Sequence, residues 1–358
     1  MKRIPVKTAH NYEVLVGAGA SRTLAAELRT LLPSRRLLIV TDRHVAPFHL
    51  DSLLAALDGC ECHPVILEPG EENKTMASVM SLLSALADAH FDREDAVIAL
   101  GGGVVGDMAA FAASIYLRGI AFINLPTTLL AMVDSSVGGK TGVDFAGGKN
   151  LIGSFWQPRL VICDTGYLGT LPADIFADGC AEVIKYAFIG NPELLELLET
   201  HGIPCAGRAE DAELLDEIVS LCVAHKARIV SADEFDRGER ALLNFGHTAG
   251  HAIESLSGYQ ISHGRAVAMG MCVMTAAAER AGICPSGVYP RLTALLTACG
   301  LPVEAPFPPG AIAAAASADK KRSGDQIVAV LPEALCRCIR YPLPLAGFAR
   351  FLEGEAAR

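Results

Sequence analysis

The chain has 358 residues, 51% of them hydrophobic, with 30 Lys and Arg against 40 Asp and Glu, for a net charge of −10. That length leaves room for two domains, and the apolar share supports a large core. The acidic balance, with no basic block, excludes nucleic acid as the main partner, so an anionic ligand must be met by local lysines and arginines. No uninterrupted apolar run reaches the roughly 18 residues of a membrane span. The opening MKRIPVKTAHNYEVLV alternates like a strand and lacks the apolar core of a signal peptide. The cysteines lie singly or as Cys60-x-Cys62 and Cys336-x-Cys338, without paired CxxC spacing, which reads as reduced thiols in a cytoplasmic protein.

In chain order, apolar runs predict strands at Leu37–Val40, Pro64–Leu67, Ala96–Leu100, Ala121–Leu125 and Leu160–Cys163. Helical stretches separate them near Arg22–Leu32, Leu50–Leu57, Met76–Ala89 and Asp107–Tyr116. Such alternation predicts a doubly wound, largely parallel α/β sheet. From Pro172 onward helical periodicity takes over, at Leu194–Glu199, Ala212–Ala232, Thr248–Leu256 and Arg265–Arg280. There only Gln326–Leu331 reads as a strand, and Ala311–Ala318 reads as an alanine-rich helix. The expected organisation is an α/β domain over 1–170 and a mostly α-helical domain over 171–358, with the site in the cleft between them.

The segment Leu125–Pro158 holds two Gly-Gly turns, each followed by a lysine: Gly138-Gly139-Lys140 and Gly147-Gly148-Lys149. Asp134 and Asn150 are close by. Glycine costs backbone entropy on ordering, and paired glycines beside lysines suit a backbone that approaches an anion closely. Leu129, Leu130, Met132, Val133, Leu151, Ile152, Phe155 and Trp156 interleave with the polar groups, which predicts a buried, ordered site for a phosphorylated ligand.

Strand Ala96–Leu100 runs directly into Gly101-Gly102-Gly103-Val104-Val105-Gly106-Asp107 and then a helix. Formally this is the GxGxxG of a Rossmann-like unit, in which backbone N–H groups and a helix N-terminus hold a pyrophosphate. The acidic residue expected about 20 positions later for the ribose is missing. Asp42, at the end of Leu37–Val40, is a substitute. Gly70-Glu71-Glu72-Asn73-Lys74-Thr75 adds a turn with both charge signs, either a structural turn capped by Thr75 or part of the nucleotide site.

Glu182 and Lys185 project from one face of an apolar helix in Ala181–Tyr186, which disfavours a surface ion pair. His247 and His251 stand at i, i+4, and His263 follows in Ser262-His263-Gly264-Arg265. An isolated histidine on an apolar face is usually a satisfied core residue, whereas three with a buried glutamate fit a divalent metal. Two histidines and a carboxylate leave zinc an open position for a substrate oxygen. Spacing leaves open which two histidines bind, and helical register alone points to His247 with His251.

GEENKT, GGGVVGDMAAF, LPTTLLAMVDSSVGGKTGVDFAGGKNLIG, AEVIKYA, LNFGHTAGHAIE and SHGRAVAMGM together resemble 3-dehydroquinate synthase, a sugar-phosphate cyclase of the shikimate pathway, over nearly the whole chain. The resemblance implies bound NAD and a divalent metal, zinc or cobalt. It also implies a lyase that converts 3-deoxy-D-arabino-heptulosonate 7-phosphate to 3-dehydroquinate and phosphate. The implied course is transient oxidation, phosphate elimination, re-reduction, ring opening and intramolecular aldol closure, with the departing phosphate able to act as base. Glu182, His247 and His263 become the metal ligands, and His251 moves to the substrate side. For NAD the resemblance points to Asp42, Glu71, Lys74, Gly102, Gly103, Val104, Asp107, Thr127, Thr128, Lys140, Lys149 and Thr170. For the substrate it points to Asp134, Lys140, Asn150, Lys185, Lys226, Arg240, Asn244, His251 and a lysine of Asp319-Lys320-Lys321, with Lys320 the first choice. Arg118 would reach the phosphate site of a neighbouring subunit, implying a homodimer. Departures are small: Thr75, Phe145-Ala146-Gly147 and Phe235-Asp236-Arg237 bear on lid packing and cofactor affinity rather than on the reaction. The alternatives are another sugar-phosphate cyclase, a metal-dependent polyol dehydrogenase of similar architecture, and an inactive nucleotide-binding protein.

Overall fold

A computed structural model of the chain describes residues 1–32, 34, 36–204, 211–320 and 325–354. Its strands and helices, in chain order, begin with β1 (Lys2–Val6), β2 (Tyr12–Val16), α1 (Leu24–Leu31), β3 (Arg36–Asp42), α2 (Ala46–Ala56), β4 (Glu61–Leu67) and α3 (Met76–Asp88). Next come β5 (Ala96–Gly101), α4 (Gly103–Ile115), β6 (Ala121–Pro126), β7 (Lys140–Phe145), β8 (Gly148–Phe155) and β9 (Leu160–Cys163). Then follow α5 (Ala173–Gly190), α6 (Pro192–His201), α7 (Ala212–Ala232), α8 (His247–Leu256), α9 (His263–Arg280) and α10 (Val288–Ala298). Finally come α11 (Pro309–Lys320), β10 (Gln326–Ala334), β11 (Arg337–Pro344) and α12 (Leu345–Glu353).

Two compact units form. The first is Met1–Pro172 with Cys205–Phe235, and the second is Ala173–Pro204 with Asp236–Arg358. Relative to a single division near residue 170, one element changes sides: α7 packs on β1 and β2 of the first unit.

The first unit is a seven-stranded sheet in the order β1-β2-β9-β6-β5-β3-β4, parallel everywhere except between β1 and β2. Leu37 to Val40 and Ala96 to Leu100 are fully buried, as strands covered on both faces require. Between the strands run helices whose apolar faces join that core: Val79, Leu82 and Leu86 from α3, and Val105, Met108 and Ala112 from α4. Strand β3 lies between β4 and β5, so the winding direction reverses there. Open α/β sheets bind ligands at the carboxyl ends of the strands flanking such a reversal. Asp42 and Gly101 end those two strands.

The glycine-lysine segment forms a separate antiparallel hairpin, β7 against β8. Here the expectation of burial is corrected in part. Leu129, Met132 and Val133 are fully buried, but Lys140, Lys149, Asn150, Leu151 and Phe155 are exposed on the hairpin. A two-stranded ribbon has one face too many for its own core, so its polar and some apolar side chains stay outside.

The second unit is mostly helical, with β10 and β11 pairing as an antiparallel hairpin. Sequence alone missed β11, because its prolines Pro342 and Pro344 and its charged Arg337 and Arg340 mask the alternation. The pairing tolerates those prolines because, among the described residues, β11 pairs with β10 alone, the edge position where a missing N–H is harmless. Among the described residues no helix is long and apolar enough to cross a membrane.

Asp164, just after β9, is 3% exposed and its carboxylate accepts from Gly19 N (2.7 Å), Ser21 N (3.0 Å), Ser21 Oγ (2.5 Å) and Gly166 N (3.0 Å). It holds the turn that carries Thr170. Asp164→Ala leaves these donors unmet and is expected to lower stability by about 3 kcal/mol. Urea denaturation followed by circular dichroism measures the loss.

Candidate active site

The residues read for the dinucleotide lie in the first unit, several of them at the carboxyl ends of its parallel strands. Gly102 and Gly103 open α4, a helix of 13 residues, directly after β5. A Cβ built on Gly102 would stand 3.1 Å from Thr128 Cγ2, and one on Gly103 would stand 3.1 Å from Ser135 Oγ. The helix start therefore accepts a close ligand only as bare backbone. Thr127 Oγ1 is buried with no hydrogen-bond partner among the described residues. Such a group is costly unless water or a ligand meets it. Asp42 Oδ1 accepts from His44 N (2.8 Å) and Val45 N (2.9 Å), which fixes the carboxylate at the end of β3. These features suit a dinucleotide.

Lys74 is 4% exposed, and its Nζ donates to Asp107 Oδ2 and Asn150 Oδ1, both at 2.6 Å. Glu71 Oε1 stands 3.8 Å from the same ammonium. Burial opposes the charge on Lys74, but the Asp107 and Glu71 carboxylates overcome it, so its pKa sits above the ordinary lysine value. Thr75 accepts from Ser78 N (3.2 Å) and caps α3, so the segment is both a structural turn and a charged cluster. The hairpin is tied to Lys74 twice, by Asp144 N donating to the Lys74 carbonyl (3.0 Å) and by Asn150 Oδ1 accepting from Lys74 Nζ, while Asp144 Oδ1 accepts from Asn150 N (2.8 Å) across the hairpin itself. Asn150 takes a left-handed backbone, φ 53°. Sequence reading missed Asp144, whose role shows only once Asn150 and Lys74 are neighbours.

Asp134 sits in a turn of π-helix, Ala131–Ser135. Lys226 of α7 donates to its carbonyl (2.5 Å) and to its Oδ1 (2.9 Å). Lys140 and Lys149 are exposed on the hairpin, and Val104 and Thr128 stand beside the two glycines. Thr170 Oγ1 donates to Tyr167 O (3.0 Å) and contacts His49 Nε2 (2.8 Å). Arg118 is exposed on a turn with left-handed backbone, φ 68°.

The cation end lies wholly in the second unit. Glu182 and Lys185, one helical turn apart on α5, are each 1% exposed and form an ion pair through Glu182 Oε2. Glu182 Oε1 faces two imidazoles: His247 Nε2 at 3.6 Å and His263 Nε2 at 3.5 Å. Ligand atoms of the three residues all lie within 4.8 Å of one another. A carboxylate and two imidazole nitrogens at that spacing suit a divalent cation of the zinc type and leave it an open position. His251 is exposed and groups instead with Glu254 and His263. Arg240 is 2% exposed and Asn244 exposed, both on the short helical turn Glu239–Asn244. Lys321 lies outside the described residues, as does the Lys320 side chain, although the Lys320 backbone ends α11.

Glycines build this cluster. Gly246, φ 81°, caps the start of α8, and only glycine adopts that left-handed conformation readily. A Cβ on Gly250 would stand 3.1 Å from Ala266 O, and one on Gly270 would collide with the Gly246 carbonyl. Helices α8 and α9 therefore cross almost backbone to backbone, which brings His247 beside His263, with ring centroids 5.3 Å apart. Asp178, on the Glu182 face of α5, accepts from Ser262 Oγ (2.6 Å) and Arg265 N (3.1 Å). It clamps the start of α9, with His263 as the first helical residue, against α5. Sequence reading missed Asp178, although its i, i+4 spacing from Glu182 was a signal.

The two imidazoles differ. Burial, with the Lys185 ammonium, lowers His247 to about 3, so its ring is neutral. Burial opposes charge on His263 too, but hydrogen bonds to Glu182 and Glu254 outweigh it and raise its pKa to about 10.

One chain thus carries a doubly wound sheet with a bare helix N-terminus suited to a dinucleotide and a carboxylate-and-histidine set suited to a divalent cation. Residues 64–178 match the 3-dehydroquinate synthase N-terminal family and residues 179–322 the 3-dehydroquinate synthase C-terminal family. The 3-dehydroquinate synthase of Clostridium kluyveri is 40% identical over 350 residues, 96% of each chain. That of Lactiplantibacillus plantarum is 41% identical over 358 residues, 98% of each. Among solved structures, the 2-epi-5-epi-valiolone synthase ValA of Streptomyces hygroscopicus, with NAD+ and Zn2+ bound, is 28% identical with a TM-score of 0.86, covering 96% of this chain and 94% of that one. The chain belongs to the 3-dehydroquinate synthase family.

A raised pKa means that His263 carries a proton at neutral pH when no cation is present, whereas a ligand must be neutral. Cation binding therefore expels that proton, and affinity falls as pH falls, by about tenfold per unit below the His263 pKa. Calorimetric zinc titration in buffers of different ionisation enthalpy is expected to show about one proton released per ion.

Proposed function

We propose that the chain converts 3-deoxy-D-arabino-heptulosonate 7-phosphate to 3-dehydroquinate and phosphate in the cytoplasm, as a homodimer with NAD and zinc. The observation that carries this reading is the meeting of His247 and His263 on one buried carboxylate oxygen of Glu182, in a chain whose family is that of 3-dehydroquinate synthase. When bound, NAD would accept and return a hydride at one ring hydroxyl, and the cation would act there as a Lewis acid.

The chain's own residues bind and orient. Gly102, Gly103, Val104, Thr127 and Thr128 would receive the pyrophosphate and adjoining groups, with Asp42 on a ribose and Glu71, Lys74, Asp107, Lys149 and Thr170 around the dinucleotide. Glu182, His247 and His263 would hold the cation. Asp134, Lys140, Asn150 and Lys226 in the first unit, and Lys185, Arg240, Asn244, His251 and Lys320 in the second, would bind the sugar acid. The lysines and Arg240 match its carboxylate and phosphate. Lys226 is held by Asp134, and Lys185 by Glu182, so both ammonium groups are oriented before an anion arrives. No protein base is needed for elimination, since the departing phosphate can take the proton. The exposed Arg118 would serve the neighbouring subunit's phosphate site.

The test is phosphate release from the heptulosonate phosphate with catalytic NAD and added zinc. Release without net NADH accumulation is expected, whereas stoichiometric NADH would indicate a polyol dehydrogenase. Glu182→Gln and His263→Ala are each expected to abolish release, and full activity of either variant in chelator-treated buffer would refute the cation assignment. Lys149→Ala is expected to weaken NAD binding about tenfold, or about 1.4 kcal/mol; fluorescence titration measures it.

A further inference from the structure

Glu254 stands on α8, two turns after His247, and is 2% exposed. A carboxylate buried there is disfavoured twice, by loss of water and by the negative end of the helix dipole. Such a group persists where a donor compensates it. His263 is such a donor: its Nδ1 lies 3.5 Å from Glu254 Oε1, while its Nε2 lies 3.5 Å from Glu182 Oε1. The ring therefore spans two buried carboxylates, one on each nitrogen. Only Nε2 faces the place where Glu182 and His247 converge.

We propose that Glu254 is a positioning residue for the cation site: it accepts Nδ1–H of His263, fixing the ring orientation and the tautomer that presents Nε2 to the ion. The proposal rests on the reading of Glu182, His247 and His263 as the cation ligands. A carboxylate behind a ligating histidine raises the basicity of the ligand nitrogen and removes the entropy of ring flipping, and its loss typically weakens metal binding by about 10–100-fold. Glu254 also groups with His251 and His263 within ligand distance, so a second ion at that trio is the competing arrangement.

The experiment titrates Co2+ and Zn2+ against a chromogenic chelator and records the visible spectrum of the cobalt form for the wild type, Glu254→Gln and Glu254→Ala. Glutamine keeps an acceptor but loses the charge, so about tenfold weaker binding is expected, with the cobalt spectrum retained. Alanine removes both, with about 100-fold weaker binding and a shifted cobalt spectrum expected. NAD affinity, measured by fluorescence, stays at the wild-type value in both. Wild-type metal affinity and spectrum in both variants would overturn the proposal, as would two ions per wild-type chain with the second lost on Glu254 substitution. Should Glu254→Ala fail to fold, judged by near-ultraviolet circular dichroism, Glu254→Gln decides alone. Glu182→Gln separates the two readings: if it binds cobalt like the wild type, the ligand assignment itself fails.

Discussion

A carboxylate with 1% exposure inside an apolar helix is the constraint on which the second unit depends. Glu182 can stay ionised only in cationic company, because an isolated buried charge is prohibitively costly. Lys185 on the same helix supplies part of that company and occupies Oε2. Oε1 faces two imidazoles, which bring at most one positive charge between them, since His247 is held neutral by burial and by Lys185.

Bringing two imidazoles to one oxygen demands packing that larger side chains would prevent. Gly250 and Gly270 let α8 and α9 touch through their backbones, and Gly264 lets the start of α9 sit on the Asp178 carbonyl. Asp178 then clamps that start with two hydrogen bonds. The site is thus set by rigid helices, with the histidines at helix starts where the chain enters the crossing. The first unit solves a different problem with the same economy. Sheet ends and one helix N-terminus supply neutral donors for an anion, and the few lysines there are oriented by Asp107, Asn150 and Asp134.

Much of this was legible in the residues. Leu160–Cys163 and Ala212–Ala232 form as the periodicity indicates, because an uninterrupted apolar run and a long amphipathic stretch admit few alternatives. The GxGxxG after an apolar strand marked the helix N-terminus. Other features needed three dimensions. Helical spacing pairs His247 with His251, yet it is His263, on the next helix, that shares Glu182 with His247. A crossing between helices leaves no period in a sequence. The same limit hid Asp144 and Glu254, whose partners are distant or on another element. It also hid the return of α7 to the first unit, since its apolar face fits either environment. Strand β11 escaped because prolines are acceptable on a strand with a single partner.

The most direct measurement is anomalous diffraction at the zinc edge from crystals grown with zinc. One ion per chain is expected, bonded to the Glu182 carboxylate and to Nε2 of His247 and His263 at about 2.0–2.2 Å, with Nδ1 of His263 turned to Glu254. A chain in which the ion binds elsewhere, or in which those three side chains stay uncoordinated with zinc in excess, would contradict the account.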